Sequence, residues 1–400
     1  TRRSGHVPPS DERLTRPLTR MDPVVWESLL CAIGGGFFMG LYPLFIKTKP
    51  VLEANVHPVV FQLYKSTLVF LTAWILLIPR LTRKLPEGEP VFVFSWWGVV
   101  SAAFWVPSGL LTIGSVPLIG MAMQVAVSCA ANAVLTFLVF WLVFGSKMKE
   151  YSCGDGCHYY RAPIYLAATV LGMFALIFAP AIAVKLGLDK KKTKADDEER
   201  QALLINTERE AAGAKKGKAS EYYLFVLGMV LSVGCGVFAA SQYAVLTVAK
   251  SAVAKENNCS FKKKDCPKDV TEAYDNFGSW LVSFGIGAIG VTLILLAIVS
   301  VAKMMQGLPL PALHWNVLKR SGVAAGICWS IANFLIIAGN VIHGNAVIMA
   351  QVLSFQIITS GLFGMLWYGE GGGKASKVIW SVAALWTLAS MVLLGLEKSS

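Results

Sequence analysis

Acidic residues are scarce here, 24 Asp and Glu in 400 residues, and none lies deep inside an apolar stretch. Paired-carboxylate acid–base chemistry therefore has no seat in those stretches. Ser-His-Asp and Glu-x-x-His arrangements are missing from them too, so no enzyme is expected. The eight cysteines never form paired C-x-x-C units. Cys153 with Cys157 and Cys259 with Cys266 sit in polar loops, while Cys31, Cys129, Cys235 and Cys328 fall inside apolar runs. A zinc site is excluded, and buried thiols are the ordinary reading of the last four. The segment GAKKGKAS, 213–220, has three residues between Gly213 and Gly217 where a phosphate loop needs four, and Ala219 where Ser or Thr would hold magnesium. No cofactor or metal is expected. The stretch before Met21 is polar and arginine-rich, without the apolar core of a signal peptide, and Met21 is a candidate start.

What the chain has is hydrocarbon. Hydrophobic residues make up 55% and charged ones 15%. A helix needs roughly 20 mostly apolar residues to span a bilayer. Ten stretches qualify: 24–46, 59–79, 94–115, 118–145, 162–184, 222–249, 277–302, 321–342, 345–369 and 376–396. Barrel strands would show short alternating segments instead. The expected fold is an all-α polytopic membrane protein. The net charge of +12 lies largely in the loops that flank these stretches, as headgroups and orientation require, and no nucleic-acid motif accompanies it.

A charged segment, 185–221, divides the chain and reads as a disordered linker. It separates a transmembrane unit at 24–184 from a second at 222–396, with polar tails at 1–23 and 397–400. The register that lays Trp105 on Trp329 also lays Gly120 on Gly344, Ala122 on Ala346, Ala126 on Ala350, Asn132 on Gln356 and Thr136 on Ser360. In the first spans Gly34 matches Gly234, Gly36 matches Gly236 and Phe38 matches Phe238. Five spans per half is an odd number, so the halves face opposite ways. The expectation is ten transmembrane helices as two inverted five-helix repeats, with a substrate site between them.

Polar groups in the spans are the candidates for that site. Lys65 lies well inside the second span beside Gln62, Tyr64 and Ser66. A charge at depth is costly and usually functional, and the alternative is a side chain that snorkels to the interface. Gln124, Ser128, Asn132 and Thr136 recur every fourth residue on one face of the fourth span, and Gln351, Ser354, Gln356 and Thr359 stand in the ninth. Such groups either line a cavity or glue helices together. Trp105 and Trp329, with Phe37, Phe38, Tyr42 and Tyr243, offer stacking faces. Asn340 and Asn345 bracket a turn, whereas Asn333 and Gln351 lie deeper. The substrate-binding set expected is Lys65, Trp105, Gln124, Ser128, Trp329, Asn333 and Gln351, with loss of transport in Asn333→Ala and Gln351→Ala.

GICWSIANFLIIAGNVIHGNAVIMAQ (326–351), GLFGMLWYGE (361–370), IGGGFFMGLYPLFIK (33–47), FQLYKS (61–66) and FWVPSGLLTIGSVPLIGMAMQ (104–124) resemble the sugar-porter branch of the drug/metabolite transporter superfamily, which includes bacterial glucose/ribose porters. Where that family often has Trp-x-x-Gly-Asn in the third span, this chain reads Trp105-Val-Pro-Ser-Gly109; the eighth span keeps Trp329 and Asn333, and the acidic residue ending the ninth is Glu370. The resemblance implies alternating access for a small polar metabolite, a sugar or derivative. An amine, amino-acid or drug exporter, and a non-transporting membrane sensor, are the other readings. The expected partners are that sugar-like molecule and the bilayer, with no nucleic acid; a homodimer stays open. Glu199 with Leu203 and Leu204 has the spacing of an acidic dileucine signal for sorting adaptors. Together with the loop cysteines and the Asn258-Cys259-Ser260 sequon it favours a cytosolic linker, against an excess of Lys and Arg on the side of the termini.

Overall fold

The computed structural model describes residues 23–78, 82, 90–143, 148–152, 158–188, 218–261, 265–274, 277–343, 345–370 and 373–397. The tail before Pro23, Cys153, Cys157 and the dileucine residues Glu199, Leu203 and Leu204 lie outside them, as does most of the expected linker. The described residues are organised by α1 (Pro23–Leu41), α2 (Pro58–Ala73), α3 (Trp96–Ile119), α4 (Met121–Leu138), α5 (Ala162–Lys185), α6 (Lys218–Glu256), α7 (Phe277–Met305), α8 (Trp315–His343), α9 (Asn345–Trp367) and α10 (Lys374–Leu396). A 3₁₀ turn, Tyr42–Phe45, follows α1. The one described sheet is a small hairpin outside the bundle, with Glu150–Ser152 antiparallel to His158–Tyr160.

The chain is an all-α, multi-pass membrane protein. Eight described helices are long and apolar enough to cross a membrane, and their polar backbone is satisfied within each helix as lipid requires. The other two expected spans, 24–46 and 345–369, correspond to α1 and α9, with apolar helical stretches described at Leu29–Phe45 and Gln351–Trp367. One boundary differs near Pro43, whose ring replaces an N–H: α1 gives way there to the 3₁₀ turn Tyr42–Phe45, just before the expected end at 46. A second boundary also moves. The sequence suggests a break at Val116–Pro117, but α3 runs through Pro117 to Ile119 and the chain turns at Gly120, whose φ of 86° suits glycine alone. Helix α6, at 39 residues, is far longer than the bilayer requires and carries its last turns beyond the expected end at 249.

Packing follows a regular scheme. Helix α1 lies against α8 and α9, while α6 lies against α3 and α4. Helix α2 packs on α8 and α7 on α3, and α2 meets α7 across the centre. Outside this group α5 pairs with α10, each flanking α4 and α9 respectively. Large apolar side chains such as Phe174, Phe178, Leu385 and Trp386 are exposed on that outer pair, as a lipid-facing surface demands.

Glycine sets how closely these helices approach. A Cβ on Gly36 would meet the carbonyl of Val352 and the amide of Gln356, and one on Gly236 would meet the carbonyl of Ser128 and the amide of Asn132. Gly34 faces Leu335 in the same way that Gly234 faces Leu111. Without lipid-excluded apolar surface to drive helix association, such close backbone contact is what the membrane interior offers instead. Gly236→Leu should therefore lower the melting point of detergent-solubilised protein, at a cost of about 1–3 kcal/mol. An unchanged melting point in fluorescence-monitored thermal unfolding would contradict this packing.

Candidate functional site

Seven of the helices surround a cavity of about 60 Å³. That is room for a few water molecules and well short of the roughly 300 Å³ at which ligand pockets begin. Met39 and Tyr42 reach it from the end of α1, Lys65 from α2, and Trp105, Ser108 and Thr112 from one face of α3. Gln124, Ser128, Cys129 and Asn132 come from α4, Cys235, Gln242 and Tyr243 from α6, and Trp329 from α8. Met349, Val352, Leu353 and Gln356 of α9 complete the wall.

Lys65 is the one charged side chain among these lining residues. It is 1% exposed, so it does not snorkel to the interface. Its ammonium lies 4.5 Å from the ring centre of Tyr42, 4.8 Å from that of Trp105 and 6.0 Å from that of Trp329. Trp105 and Trp329 are themselves in contact, with ring centroids 4.4 Å apart, and Phe284 stacks on Trp329 from α7. The faces of these rings carry the negative end of the quadrupole and attract the cation. No carboxylate lines the cavity among the described residues.

Most of the surrounding polar groups are satisfied locally. Ser108 Oγ donates to the Cys235 carbonyl at 3.1 Å, and Thr136 Oγ1 donates to Asn132 Oδ1 at 2.9 Å. Behind the wall Gln62 Nε2 donates to Ser66 Oγ at 3.1 Å, and Ser66 shares a 2.8 Å hydroxyl contact with Thr292 of α7. Gln124 is the exception on the wall: its Oε1 is buried with no hydrogen-bond partner, and its Nε2 has only the Cys235 sulfur at 3.8 Å. A buried carbonyl oxygen without a donor costs about 1–3 kcal/mol.

One end of the cavity is tied across by a cluster of polar contacts. Glu370, just beyond α9, accepts from the amides of Met121 and Ala122, each at 2.9 Å, and so caps the N-terminus of α4. This is the position where the helix dipole favours a carboxylate. The same carboxylate takes an ion pair from Lys47, beyond α1, and Tyr368 Oη donates to the Leu44 carbonyl at 2.8 Å. Tyr42 and Gln124, on the cavity wall, stand about one helical turn from this cluster.

Five of the seven residues picked from the sequence come together here: Lys65, Trp105, Gln124, Ser128 and Trp329. Asn333 is buried on α8 one turn past Trp329, yet it does not line the cavity. Gln351 is half-buried on α9 and is also off the wall, with a buried Oε1 that lacks a partner. Gln242, Cys235 and Thr112 were not anticipated. A signal existed for the first two, because Cys235, Ala239, Gln242 and Tyr243 fall at helical spacing on one face. The loop cysteines Cys259 and Cys266 are joined in a disulfide, which removes both as ligands from the cluster they form with Asp265. Compared with models of protein families and with curated proteins, the chain finds no match. The fold and cavity define a class: a helical multi-pass membrane protein with a central, mixed aromatic and amide cavity.

Gln124→Leu separates binding from folding. Removing an unpartnered oxygen should leave the ligand-free protein as stable or up to about 1–2 kcal/mol more stable. Thermal unfolding checks this, and a marked loss of stability would mean that Gln124 serves the fold.

Proposed function

We propose that this protein is a secondary transporter that moves a small polar metabolite, a carbohydrate in the first instance, by alternating access. On this reading ten helices span the membrane as two inverted five-helix repeats, and the central cavity is the substrate site. The observation that carries it is the paired composition of the wall. The register that lays Trp105 on Trp329 also lays Cys129 on Leu353 and Asn132 on Gln356, and all six residues line the cavity.

The packing supports the same two-fold relation. Exchanging the halves turns the contact of α1 with α8 into that of α6 with α3, and α1 with α9 into α6 with α4. Gly36 against Val352 becomes Gly236 against Ser128, and Gly34 against Leu335 becomes Gly234 against Leu111. Sites at the interface of inverted repeats are what rocking of one half against the other exposes to alternate faces. The cluster of Lys47, Glu370 and Tyr368 acts in this account as the latch that holds one end shut. A cavity of about 60 Å³ is then a contracted state that must widen to admit a hexose.

Substrate class follows from the wall chemistry. Amides donate and accept, as do hydroxyls, and aromatic faces suit the apolar face of a sugar ring. An amine or drug cation finds no carboxylate in the cavity, and Lys65 would repel it. The resemblance of the spans to the sugar-porter branch of the drug/metabolite transporter superfamily agrees with this. The Cys259–Cys266 disulfide supports placing its loop, and with it the termini, toward an oxidising compartment, and hence the linker toward the cytosol.

Proteoliposomes test the reading. Saturable counterflow of labelled hexoses or their derivatives is expected, with Trp329→Ala and Asn132→Ala lowering it by about tenfold or more, as loss of well-placed contacts does. Asn333→Ala, off the wall, should lower it less. No saturable flux of any carbohydrate would overturn the proposal in favour of a non-transporting sensor.

A further inference from the structure

The cavity holds a buried lysine to which no described residue offers a counter-ion. Lys65 is 1% exposed, makes no ion pair with any described residue, and lies over the faces of Tyr42, Trp105 and Trp329. Glu370, which does not line the cavity, is already engaged by Lys47 and by two amides of α4. Isolated ammonium groups are expensive to take out of water, and aromatic faces offset only part of that expense. Position matters as well. Lys65 reaches the wall from α2, whereas α7, its counterpart in the second half, carries no charged residue between Phe277 and Val301, and among the described lining residues Lys65 is the one charged group. The rest of the wall offers neutral groups, among them the unpartnered Gln124 oxygen and the amides of Asn132, Gln242 and Gln356.

From this polarity we propose that the substrate is a small polyhydroxylated compound bearing a single carboxylate, a sugar acid rather than a neutral sugar, and that Lys65 binds the carboxylate. The inference rests on the transporter reading above and narrows its substrate class. Lys65 supplies a charge-assisted hydrogen bond to the anion, the Trp105–Trp329 pair receives the ring or carbon chain, and Gln124 Oε1 accepts from a substrate hydroxyl. A doubly charged phosphate is a poorer match, since a lone ammonium leaves one charge buried without a partner.

Glucuronate and glucuronamide, nearly the same in shape and different in charge, provide the probes. Purified protein in detergent is titrated with each and the melting point followed, because a ligand that binds only folded protein raises it. Glucuronate should reach half-maximal stabilisation at a concentration about tenfold lower than glucuronamide or glucose, the usual worth of one charged hydrogen bond. Lys65→Met should erase that preference while keeping the ligand-free melting point, because an apolar chain replaces an unpaired buried cation. Should Lys65→Met not fold, the acid–amide comparison on the natural protein decides alone. Equal half-saturation by the acid and its amide would overturn the inference and leave the carbohydrate transporter standing. Absence of stabilisation by all three compounds would also overturn the inference, and absence of saturable flux of any carbohydrate would overturn the transporter reading with it.

Discussion

The structure depends on the close approach of α1 to α9 and of α6 to α4, which Gly36 and Gly236 make possible. In a bilayer the lipid is as apolar as a leucine side chain, so helices gain little by hiding hydrocarbon from it. What holds them is backbone-close packing, and a single Cβ at either glycine would strike a carbonyl of the opposite helix. These two seams fix where Ser128, Asn132, Val352 and Gln356 stand. Since those residues line the cavity, the seams also fix the spacing of its walls.

Between the walls the balance of terms is unlike that of a core. An aromatic pair at 4.4 Å and a buried lysine occupy the centre, where a stable core would place aliphatic side chains. Gln62, Gln124 and Gln351 each keep a buried carbonyl oxygen without a partner. Polar groups left unpaired in a low-dielectric interior lower stability, and sites of function are where such costs are tolerated. At one end the same chemistry is fully satisfied. Glu370 meets Lys47 and the α4 amides together, which is the arrangement of a contact that holds.

Much of the fold was legible because lipid imposes a length and a composition on any helix that crosses it. Span positions from 162–184 and 376–396 agree with α5 and α10 to within a few residues. Boundaries failed where a local backbone choice intervened, as at Gly120, where a positive φ and a cap from Glu370, distant in sequence, decide the break rather than the nearby Pro117. In the site, the period of four on α4 and the repeat of Trp105 in Trp329 were enough to find one wall and the aromatic centre. Asn333 and Gln351 misled because depth along a helix says nothing about rotation around it. Gln242 stands alone as an amide on its helix, without a period of four to mark it, although the match of Gly34 to Gly234 also lays Tyr42 on Gln242, and both line the cavity.

The central claim is that this cavity opens to alternate faces of the membrane, with the Lys47–Glu370 contact closing one of them. Cys235 lines the cavity and reports on it directly. Its modification by a membrane-impermeant thiol reagent can be measured from each face, in protein whose other free thiols are replaced and whose Cys259–Cys266 disulfide is kept. The account predicts that Glu370→Gln increases labelling from the face where Lys47 and Tyr368 lie and decreases it from the opposite face. Labelling that is absent from both faces in both proteins, or unchanged by Glu370→Gln, would contradict it.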